Sequence, residues 1–411
     1  MKKILLIFAA ALMIFSSCNN TANNAKTADD NKNQKAKYIF LFVGDGMGHS
    51  IISATESYLS YKAGKIGGEQ LTMTTFPIAG DATTYSDNAI VTCSAAAGTA
   101  IACGVKTSNG KLGRTPDGKA ARSLAFDLKE DGYKIGIMSS VPINHATPAA
   151  FYSTPESRKH YYEIIEQLPE SGFEFFASTG FLGFYPQDTT KPDCEALVES
   201  QGYEVVWGKE ELANLDSEVK NVVICNAENK GKNAKDYDDG SKANPENFTL
   251  PEMVSAAIEF LSDEQPFFIM CEGGHIDWAA HSNKIMPAIA GVIEMDEAVK
   301  VAYEFYKQHP EETLIVITAD HETGGVALGY GPDWDHNKPQ WQVVENAWLE
   351  AGQSNTLSEE ENSKLNAEGR IGWTTTYHTG AEVPVYAIGK GAEKFCGRID
   401  NTDIKGKILC E

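Results

Sequence analysis

The chain lacks an apolar run long enough to cross a membrane as a helix. Its N-terminal run Ile4–Phe15 has twelve residues, whereas a membrane-spanning helix needs about 20. Basic residues are also scarce, with 35 lysines and arginines against 57 acids and a formal net charge of −22. This acidic balance argues against nucleic acid or anionic lipid as a partner, because both would be repelled.

The N-terminus has the order of an export signal. Lys2 and Lys3 precede the apolar run, and Ser16, Ser17 and Cys18 follow it. A cysteine directly after small residues resembles a lipoprotein processing box, in which the chain is cleaved before Cys18 and that cysteine is acylated. The alternative is ordinary secretory cleavage with Cys18 an incidental residue. We predict a lipoprotein signal peptide over residues 1–17 and an exported, membrane-anchored protein that faces the periplasm or the cell exterior.

Residues 18–37 are rich in Asn, Ala, Thr, Asp and Lys and show no apolar periodicity. Such a segment cannot bury enough surface to fold, so we predict a flexible tether. The remainder, residues 38–411, shows no internal repeat and no shift in composition. We therefore predict a single folded domain over residues 38–411.

Cysteine is infrequent, with eight residues in the chain, and seven remain if Cys18 is acylated. An odd count leaves at least one thiol unpaired in an exported protein. Cys225 and Cys271 lie inside apolar, strand-like runs, which predicts buried thiols. Cys396 and Cys410 near the C-terminus could form a bridge.

Short apolar runs alternate with amphipathic stretches for most of the length, which predicts a doubly wound α/β fold: a mostly parallel central sheet with helices on both faces. The predicted strands are Tyr38–Val43, Tyr133–Met138, Asn221–Cys225, Phe267–Cys271, Thr313–Thr318 and Pro384–Ile388. The predicted helices are Lys119–Glu130, Pro155–Leu168, Pro251–Ser262 and Ile285–Gln308. Residues 173–239 and 325–376 are broken by polar and glycine-containing turns, and we predict that they are irregular insertions at the rim.

Three predicted strands end in side chains that can bind metals. Asp45 follows the first strand in a glycine-rich turn, Glu272 follows FFIMC, and Asp320 and His321 follow TLIVIT. Ligands of open α/β sheets bind at the carboxyl ends of the strands. Carboxylates gathered at one edge repel each other unless a cation lies among them, so the pattern indicates a metal site.

Asp277 and His281 are four residues apart and share one face if this segment is helical. That spacing is typical of two ligands to one zinc, although a surface ion pair is an equal alternative. His378, in TYHTG, is a candidate third ligand.

Ser94 lies where an extended entry gives way to the helix-forming run Ala95–Ala102. Its hydroxyl would stand at a helix N-terminus, where free backbone N–H groups favour an anion. Arg158 could grip two oxygens of that anion through its planar guanidinium. The alternatives are a simple N-cap serine and a helix-surface arginine.

Taken together, FVGDGMG, VTCSAAAGTAIACGVKTSNGKLG, NHATPAAFYSTPESR, FFIMCEGGHIDWAAH, LIVITADHETGG and YHTG resemble the successive motifs of the alkaline phosphatase family. The resemblance implies hydrolysis of phosphate monoesters at alkaline pH through a phosphoserine on Ser94, with Arg158 binding the phosphate. It implies two zinc ions and one magnesium ion as cofactors, and homodimers are usual in the family. The implied ligands are Asp277, His281 and His378 for one zinc, Asp45, Asp320 and His321 for the other, and Asp45, Thr147 and Glu272 for magnesium.

Two features depart from the common family pattern. Many members have an acid before the serine that orients the arginine, whereas this chain has Cys93, whose neutral thiol cannot form that ion pair. We therefore expect Arg158 to lack that acidic partner and to sample more rotamers. Near the magnesium site this chain has His145 and Trp278, a pair similar to that of some cold-adapted bacterial members.

Two rival functions remain open at this point. A relative with the same two-zinc core could act on a phosphodiester or a sulfate ester, but Thr147, Glu272 and Arg158 favour a monoester because it carries one more charged oxygen. A surface lipoprotein that only binds metal or phosphate is the second rival, and the presence of Ser94 argues against it.

Overall fold

The computed structural model describes residues 34–233, 244–329, 338–353 and 357–411. The predicted signal peptide, Cys18 and most of the predicted tether lie outside the described residues. Within those residues, no helix combines the length and the apolar character that a membrane crossing requires.

Ten strands form one central sheet in the order β14-β2-β13-β8-β1-β7-β3-β4-β6-β5. Nine of them run in one direction and β13 alone runs opposite, because its pairings with β2 and β8 are antiparallel. The strands of this sheet are β1 Tyr38–Gly44, β2 Ile78–Thr83, β3 Lys134–Ser139, β4 Phe175–Ser178, β5 Glu204–Trp207, β6 Val222–Cys225, β7 Phe267–Gly273, β8 Thr313–Ala319, β13 Val383–Gly389 and β14 Gly397–Asp400.

Two small antiparallel pairs lie beside the central sheet. They pair β9 Glu322–Thr323 with β12 His378–Thr379, and β10 Ala327–Leu328 with β11 Ile371–Gly372. The pair of β9 and β12 brings two segments that are far apart in the chain to the end of β8.

The described α-helices are α1 His49–Lys62, α2 Ser94–Cys103, α3 Leu124–Glu130, α4 Ala146–Ala149, α5 Tyr161–Glu170, α6 Cys194–Ser200, α7 Lys209–Ala213, α8 Leu250–Leu261, α9 His275–His281, α10 Ile285–Gln308, α11 Trp341–Glu350, α12 Glu359–Gly369 and α13 Asp403–Leu409. Short 3-10 helices span Met73–Thr75, Ala227–Asn229 and Ala392–Phe395.

Every residue of β1, β7 and β8 is buried, so both faces of these central strands are covered. Their sequences are accordingly continuous apolar runs rather than alternating ones, as expected for parallel strands between two layers. The prediction of an α/β fold with a mostly parallel central sheet is confirmed.

The six predicted strands are all present in this sheet, with ends that differ by one or two residues. Helix Ile285–Gln308 has the predicted bounds, and the helix predicted from Pro251 begins one residue earlier. Two helices begin later than predicted. Ser123 precedes α3 as its N-cap, so residues 119–123 are outside it, and residues 155–160 form a turn before α5 instead of its first turns.

The prediction that residues 173–239 form an insertion at the rim was wrong. This segment supplies β4, β5 and β6, which extend the parallel sheet from β3 to its edge. The strands β4 and β5 have only four residues each, so the surrounding turns dominated the sequence pattern, whereas β6 corresponds to the predicted strand Asn221–Cys225. In contrast, the described part of residues 325–376 adds no strand to the central sheet and contributes α11, α12 and the pair of β10 and β11.

All seven described cysteines are free thiols, so the proposed bridge between Cys396 and Cys410 was wrong. Cys396 is exposed before β14, whereas Cys410 caps α13 and its Sγ contacts the Ile408 carbonyl oxygen. Cys225 and Cys271 are completely buried in β6 and β7, as predicted.

Candidate active site

The carboxyl ends of three neighbouring strands gather three acids at one edge of the sheet. Gly44 of β1 lies level with Gly273 of β7 and Ala319 of β8. Asp45 therefore stands beside Asp320, and Glu272, which is level with Val43, lies two positions before Asp45 on the neighbouring strand. All three acids are completely buried. Parallel strands in register account for this placement.

These carboxylates have too few hydrogen-bond donors for their burial. Both oxygens of Asp45, one of Asp320 and one of Glu272 have no hydrogen-bond partner. Burial, together with the charges of neighbouring acids, raises the pKa of Asp45 and of Asp320 well above the ordinary carboxyl value. Because buried charges must be paired or bound to a metal, the donor set fits cations among these oxygens.

One group of possible ligands consists of Asp277, His281 and His378. The His281 Nε2 atom lies 3.3 Å from Asp277 Oδ2 and 3.1 Å from His378 Nε2, and His378 Nε2 lies 3.6 Å from Asp277 Oδ1. Tetrahedral zinc with bonds of about 2.0–2.1 Å holds its ligand atoms about 3.3 Å apart. Asp277 is only 4% exposed, so the alternative of a surface ion pair with His281 does not describe this pair.

The two imidazoles of this group have the hydrogen bonds of metal ligands. The Nδ1–H of His281 faces the carbonyl oxygen of Thr376 at 2.7 Å, and the Nδ1–H of His378 faces that of Thr92 at 2.8 Å. Donation from Nδ1 leaves the Nε2 lone pair of each ring directed at the group.

A second group consists of Asp45, Asp320 and His321, whose ligand atoms also lie together. The His321 Nε2 atom is 3.4 Å from Asp45 Oδ1 and 3.2 Å from Asp320 Oδ2. Burial and the neighbouring His378 lower the pKa of His321 well below its ordinary value, so the ring is neutral. A neutral imidazole is the form that binds a metal ion.

The third group is formed by Asp45, Glu272 and His145, whose ligand atoms lie within 4.8 Å of one another. Thr147 follows His145 by two residues in the chain, and its buried Oγ1 has no hydrogen-bond partner. Ser139 at the end of β3 donates its hydroxyl to Glu272 Oε2. The carboxylate oxygens of this group suit magnesium.

Ser94 is the first residue of α2 and is 2% exposed. Cys93 takes the N-cap position, so the alternative of an N-cap serine was wrong. The Ser94 Oγ atom instead lies 3.3 Å from His321 Nε2, beside the second group. The structure thus places the predicted nucleophile at both a helix N-terminus and a metal-capable cluster.

Arg158 lies in the turn before α5, so the alternative of a helix-surface arginine was also wrong. Its backbone N–H donates to the carbonyl oxygen of Gly110 at 3.1 Å. Its Nη2 atom lies 2.9 Å from His145 Nε2. Within the described residues no carboxylate forms an ion pair with Arg158, and the side chain that its guanidinium contacts is His145.

Two residues of the site were not predicted from the sequence. The Thr323 hydroxyl donates to Asp277 Oδ1 at 2.5 Å and lies 3.2 Å from His321 Nδ1, which links the first two groups. The buried carboxylate of Glu322 accepts from the Gly325 N–H and from the Thr379 hydroxyl, which holds β9 against β12. Their position directly after Asp320 and His321 was the available signal.

The turn after β1 requires glycine at position 46. Its φ of +74° lies in the left-handed region, and a Cβ there would come within 2.9 Å of the Asp277 Cα atom. Its N–H donates to Asp320 Oδ1 at 3.1 Å. The turn therefore brings backbone into direct contact with the first two ligand groups.

Comparisons with known proteins point to one family. The family model described as alkaline phosphatase matches residues 36–178 and 172–410. Alkaline phosphatase 4 of Bacillus subtilis is 31% identical, with 98% of this chain and 95% of the relative covered. Alkaline phosphatase 3 of the same organism is 32% identical, with 99% and 96% covered.

Solved structures give the same result. The alkaline phosphatase of the Antarctic bacterium TAB5 is 28% identical with a TM-score of 0.73, covering 92% of this chain and 98% of that one. The cold-active alkaline phosphatase of a psychrophilic Shewanella is 26% identical with a TM-score of 0.75, covering 90% and 98%.

Proposed function

The chain belongs to the alkaline phosphatase family, and on that premise we propose that it hydrolyses phosphate monoesters at alkaline pH through a phosphoserine on Ser94. The observation that carries the proposal is the position of Ser94 Oγ, 3.3 Å from Nε2 of His321, a member of the buried metal-capable group with Asp45 and Asp320. The product is inorganic phosphate.

We propose two zinc ions and one magnesium ion as cofactors, with the two zinc sites and the magnesium site held by the residues that the family resemblance implies. His145 and Trp278 would border the magnesium site, and their rings meet edge to face at 5.5 Å between centroids. When bound, the cations would neutralise phosphoryl charge and lower the pKa of attacking oxygens.

The protein's own residues account for the order of bond changes. The Ser94 Oγ attacks phosphorus and loses its proton to solvent, while the bond to the ester oxygen breaks in line with the attack and the leaving oxygen takes up a proton to give the alcohol. The N–H groups at the start of α2 and the Arg158 guanidinium bind the transferring phosphoryl oxygens. Water then attacks phosphorus, the bond to Oγ breaks, and Ser94 regains its proton. Higher pH favours both steps because each needs a deprotonated oxygen.

Selectivity for monoesters is the prediction that separates this function from its nearest rival. We expect p-nitrophenyl phosphate to be hydrolysed with a kcat/KM at least about 100-fold above those of bis(p-nitrophenyl) phosphate and p-nitrophenyl sulfate, because Arg158 and the cations match the additional charged oxygen. All three compounds release the same chromophore, so steady-state kinetics on one purified sample compares them directly.

Arg158→Leu is the matched variant for this comparison. It should lower kcat/KM for the monoester about 10- to 100-fold, the effect of losing charge-assisted hydrogen bonds, and change that for the diester far less. A diester or sulfate that is turned over as fast as the monoester by the unaltered protein would overturn the proposal.

We also propose that acylation of Cys18 anchors the exported protein to a membrane. The support is the sequence Ser16-Ser17-Cys18 after the apolar run and the lack of another anchor among residues 18–37. Cys18→Ala should move the protein from the detergent phase to the aqueous phase in Triton X-114 partitioning, because one or more acyl chains supply the membrane affinity.

Cys396→Ala is the control for this experiment, because Cys396 is an exposed free thiol within the folded domain. It should leave the partitioning unchanged. Retention of the Cys18→Ala protein in the detergent phase would remove the lipoprotein assignment. Homodimer formation stays a prediction of the family resemblance.

A further inference from the structure

Arg158, which binds phosphate in the proposed function, is held without an acid. Within the described residues, no carboxylate forms an ion pair with its guanidinium. The contacts that the structure gives Arg158 are the Nη2 atom 2.9 Å from His145 Nε2 and the backbone N–H on the Gly110 carbonyl oxygen. The guanidinium and the backbone are thus fixed by different neighbours.

The imidazole of His145 must accept the hydrogen bond in its contact with Arg158. A guanidinium carries only donors, so the His145 Nε2 atom offers its lone pair and Nδ1 carries the proton. That Nδ1 atom is buried and lies 4.0 Å from Glu272 Oε1. His145 therefore stands between Arg158 and the third ligand group, which places the guanidinium at the edge of the candidate active site.

The backbone of Arg158 is connected to Cys93 through Gly110. The Gly110 N–H donates to Cys93 Sγ at 3.1 Å, and the Gly110 carbonyl oxygen accepts from the Arg158 N–H at 3.1 Å. Gly110 has a φ of +86°, a left-handed conformation that leaves its N–H facing the thiol. One peptide turn thus joins the residue before Ser94 to Arg158.

The neighbouring residue Asn109 fixes the same turn to the same segment. The Cys93 N–H donates to Asn109 Oδ1 at 3.1 Å, and Asn109 Nδ2 donates to the Val91 carbonyl oxygen at 3.0 Å. Because these bonds tie the turn to residues 91–93, a change at Cys93 is transmitted to Gly110 rather than absorbed by a mobile loop.

We propose that Cys93 and His145 are positioning residues for Arg158: the thiol sets its backbone through Gly110, and the imidazole sets its guanidinium. This inference rests on the proposed function, in which Arg158 binds phosphate. The two contacts take the place of the orienting acid that is common in the family. Their consequence is a phosphate-binding arginine that is ordered before phosphate arrives, which reduces the entropy lost on binding.

The affinity for inorganic phosphate tests the thiol contact. Cys93→Ala removes the acceptor for the Gly110 N–H and should raise the inhibition constant for phosphate about 3- to 10-fold, the effect of one lost hydrogen bond. Cys93→Ser keeps an acceptor of similar size and should stay within about twofold of the unaltered protein. In Cys93→Ala, KM should rise by a larger factor than kcat falls.

The imidazole contact is tested by a second pair. His145→Leu removes the acceptor for the Arg158 guanidinium and should raise the inhibition constant for phosphate about 3- to 10-fold. His145→Gln keeps an acceptor and should restore part of the lost phosphate affinity. Zinc and magnesium contents measured on every variant exclude loss of metal as the cause. An unchanged constant in both Cys93→Ala and His145→Leu, or a lower one in His145→Leu, would overturn the proposal.

Failure of the proposed function would be seen separately. Phosphate binding is measured by calorimetric titration as well as by inhibition, so the variants can be compared even without turnover. If the unaltered protein hydrolyses no monoester, the proposed function fails. If it hydrolyses monoesters but all four variants bind phosphate equally, only the positioning role fails.

Discussion

Removal of the metal ions by a chelator is expected to abolish phosphate release and to lower the unfolding temperature. Asp45, Asp320 and Glu272 are completely buried with oxygens that lack hydrogen-bond donors. Without cations these groups repel each other, and with them the folded state gains about 4 kcal/mol at a free metal concentration of 1,000 times Kd. We expect the unfolding temperature to fall by about 5 to 10 °C.

The stabilisation by metal should increase with pH. Burial raises the pKa of Asp45 and Asp320 in the folded, metal-free protein. The contribution of these two carboxyl groups to the free energy of unfolding is therefore lost as pH rises from the unfolded carboxyl pKa of about 4 through the raised folded values. Cations bind the ionised forms and oppose this loss. The difference in unfolding temperature between metal-loaded and chelated protein should be larger at about pH 8 than at about pH 5.

Calorimetry with metal analysis checks this prediction, and a pair of variants controls it. Asp320→Asn should reduce zinc content and activity together, because Asp320 Oδ2 lies 3.2 Å from His321 Nε2. Asp117→Asn changes an exposed acid in the same way and should alter neither. Full activity after chelation, with metal shown to be absent, would contradict a metal-dependent site.

The parts of the site that follow strand ends could be predicted from the sequence. Asp45, Glu272, Asp320 and His321 come directly after long apolar runs, and parallel pairing places them at one edge. Asp277 and His281 could be paired because helical periodicity is regular over one turn. In each case a local pattern determined the position of the side chain.

Contacts between irregular segments could not be predicted in this way. His145 and Arg158 meet across two turns, and Cys93 acts on Arg158 through the backbone of Gly110. No periodicity relates such positions, so their partners depended on tertiary packing. The hydroxyl of Thr323 was missed for the same reason, because it reaches Asp277 only after β9 pairs with β12.

The four-residue strands β4 and β5 show a related limit. Their neighbouring turns contain most of the residues of the segment, so the average composition indicated irregular structure. Pairing of β4 with β3 and of β5 with β6 supplies the hydrogen bonds that short strands lack in isolation. Long buried strands such as β1 needed no such context to be recognised.

Ser94→Ala is expected to lower kcat for phosphate monoesters by at least about 10³-fold, because the hydroxyl that receives the phosphoryl group is absent. Zinc content and the unfolding temperature should stay near those of the unaltered protein, since among the described residues the hydrogen-bond contact of the hydroxyl is the one with His321. Thr99→Ala removes another buried hydroxyl of the same helix, one that bonds to the Ala95 carbonyl oxygen, and should affect stability more than chemistry.

The most direct test of the central claim is the mass of the Ser94 peptide after acid quench of the enzyme during turnover of a monoester. We expect a phosphoryl group on Ser94 in the unaltered protein and none on any residue of Ser94→Ala. Phosphate release at an undiminished rate in Ser94→Ala, or a phosphoryl group trapped on a different residue of the unaltered protein, would contradict it.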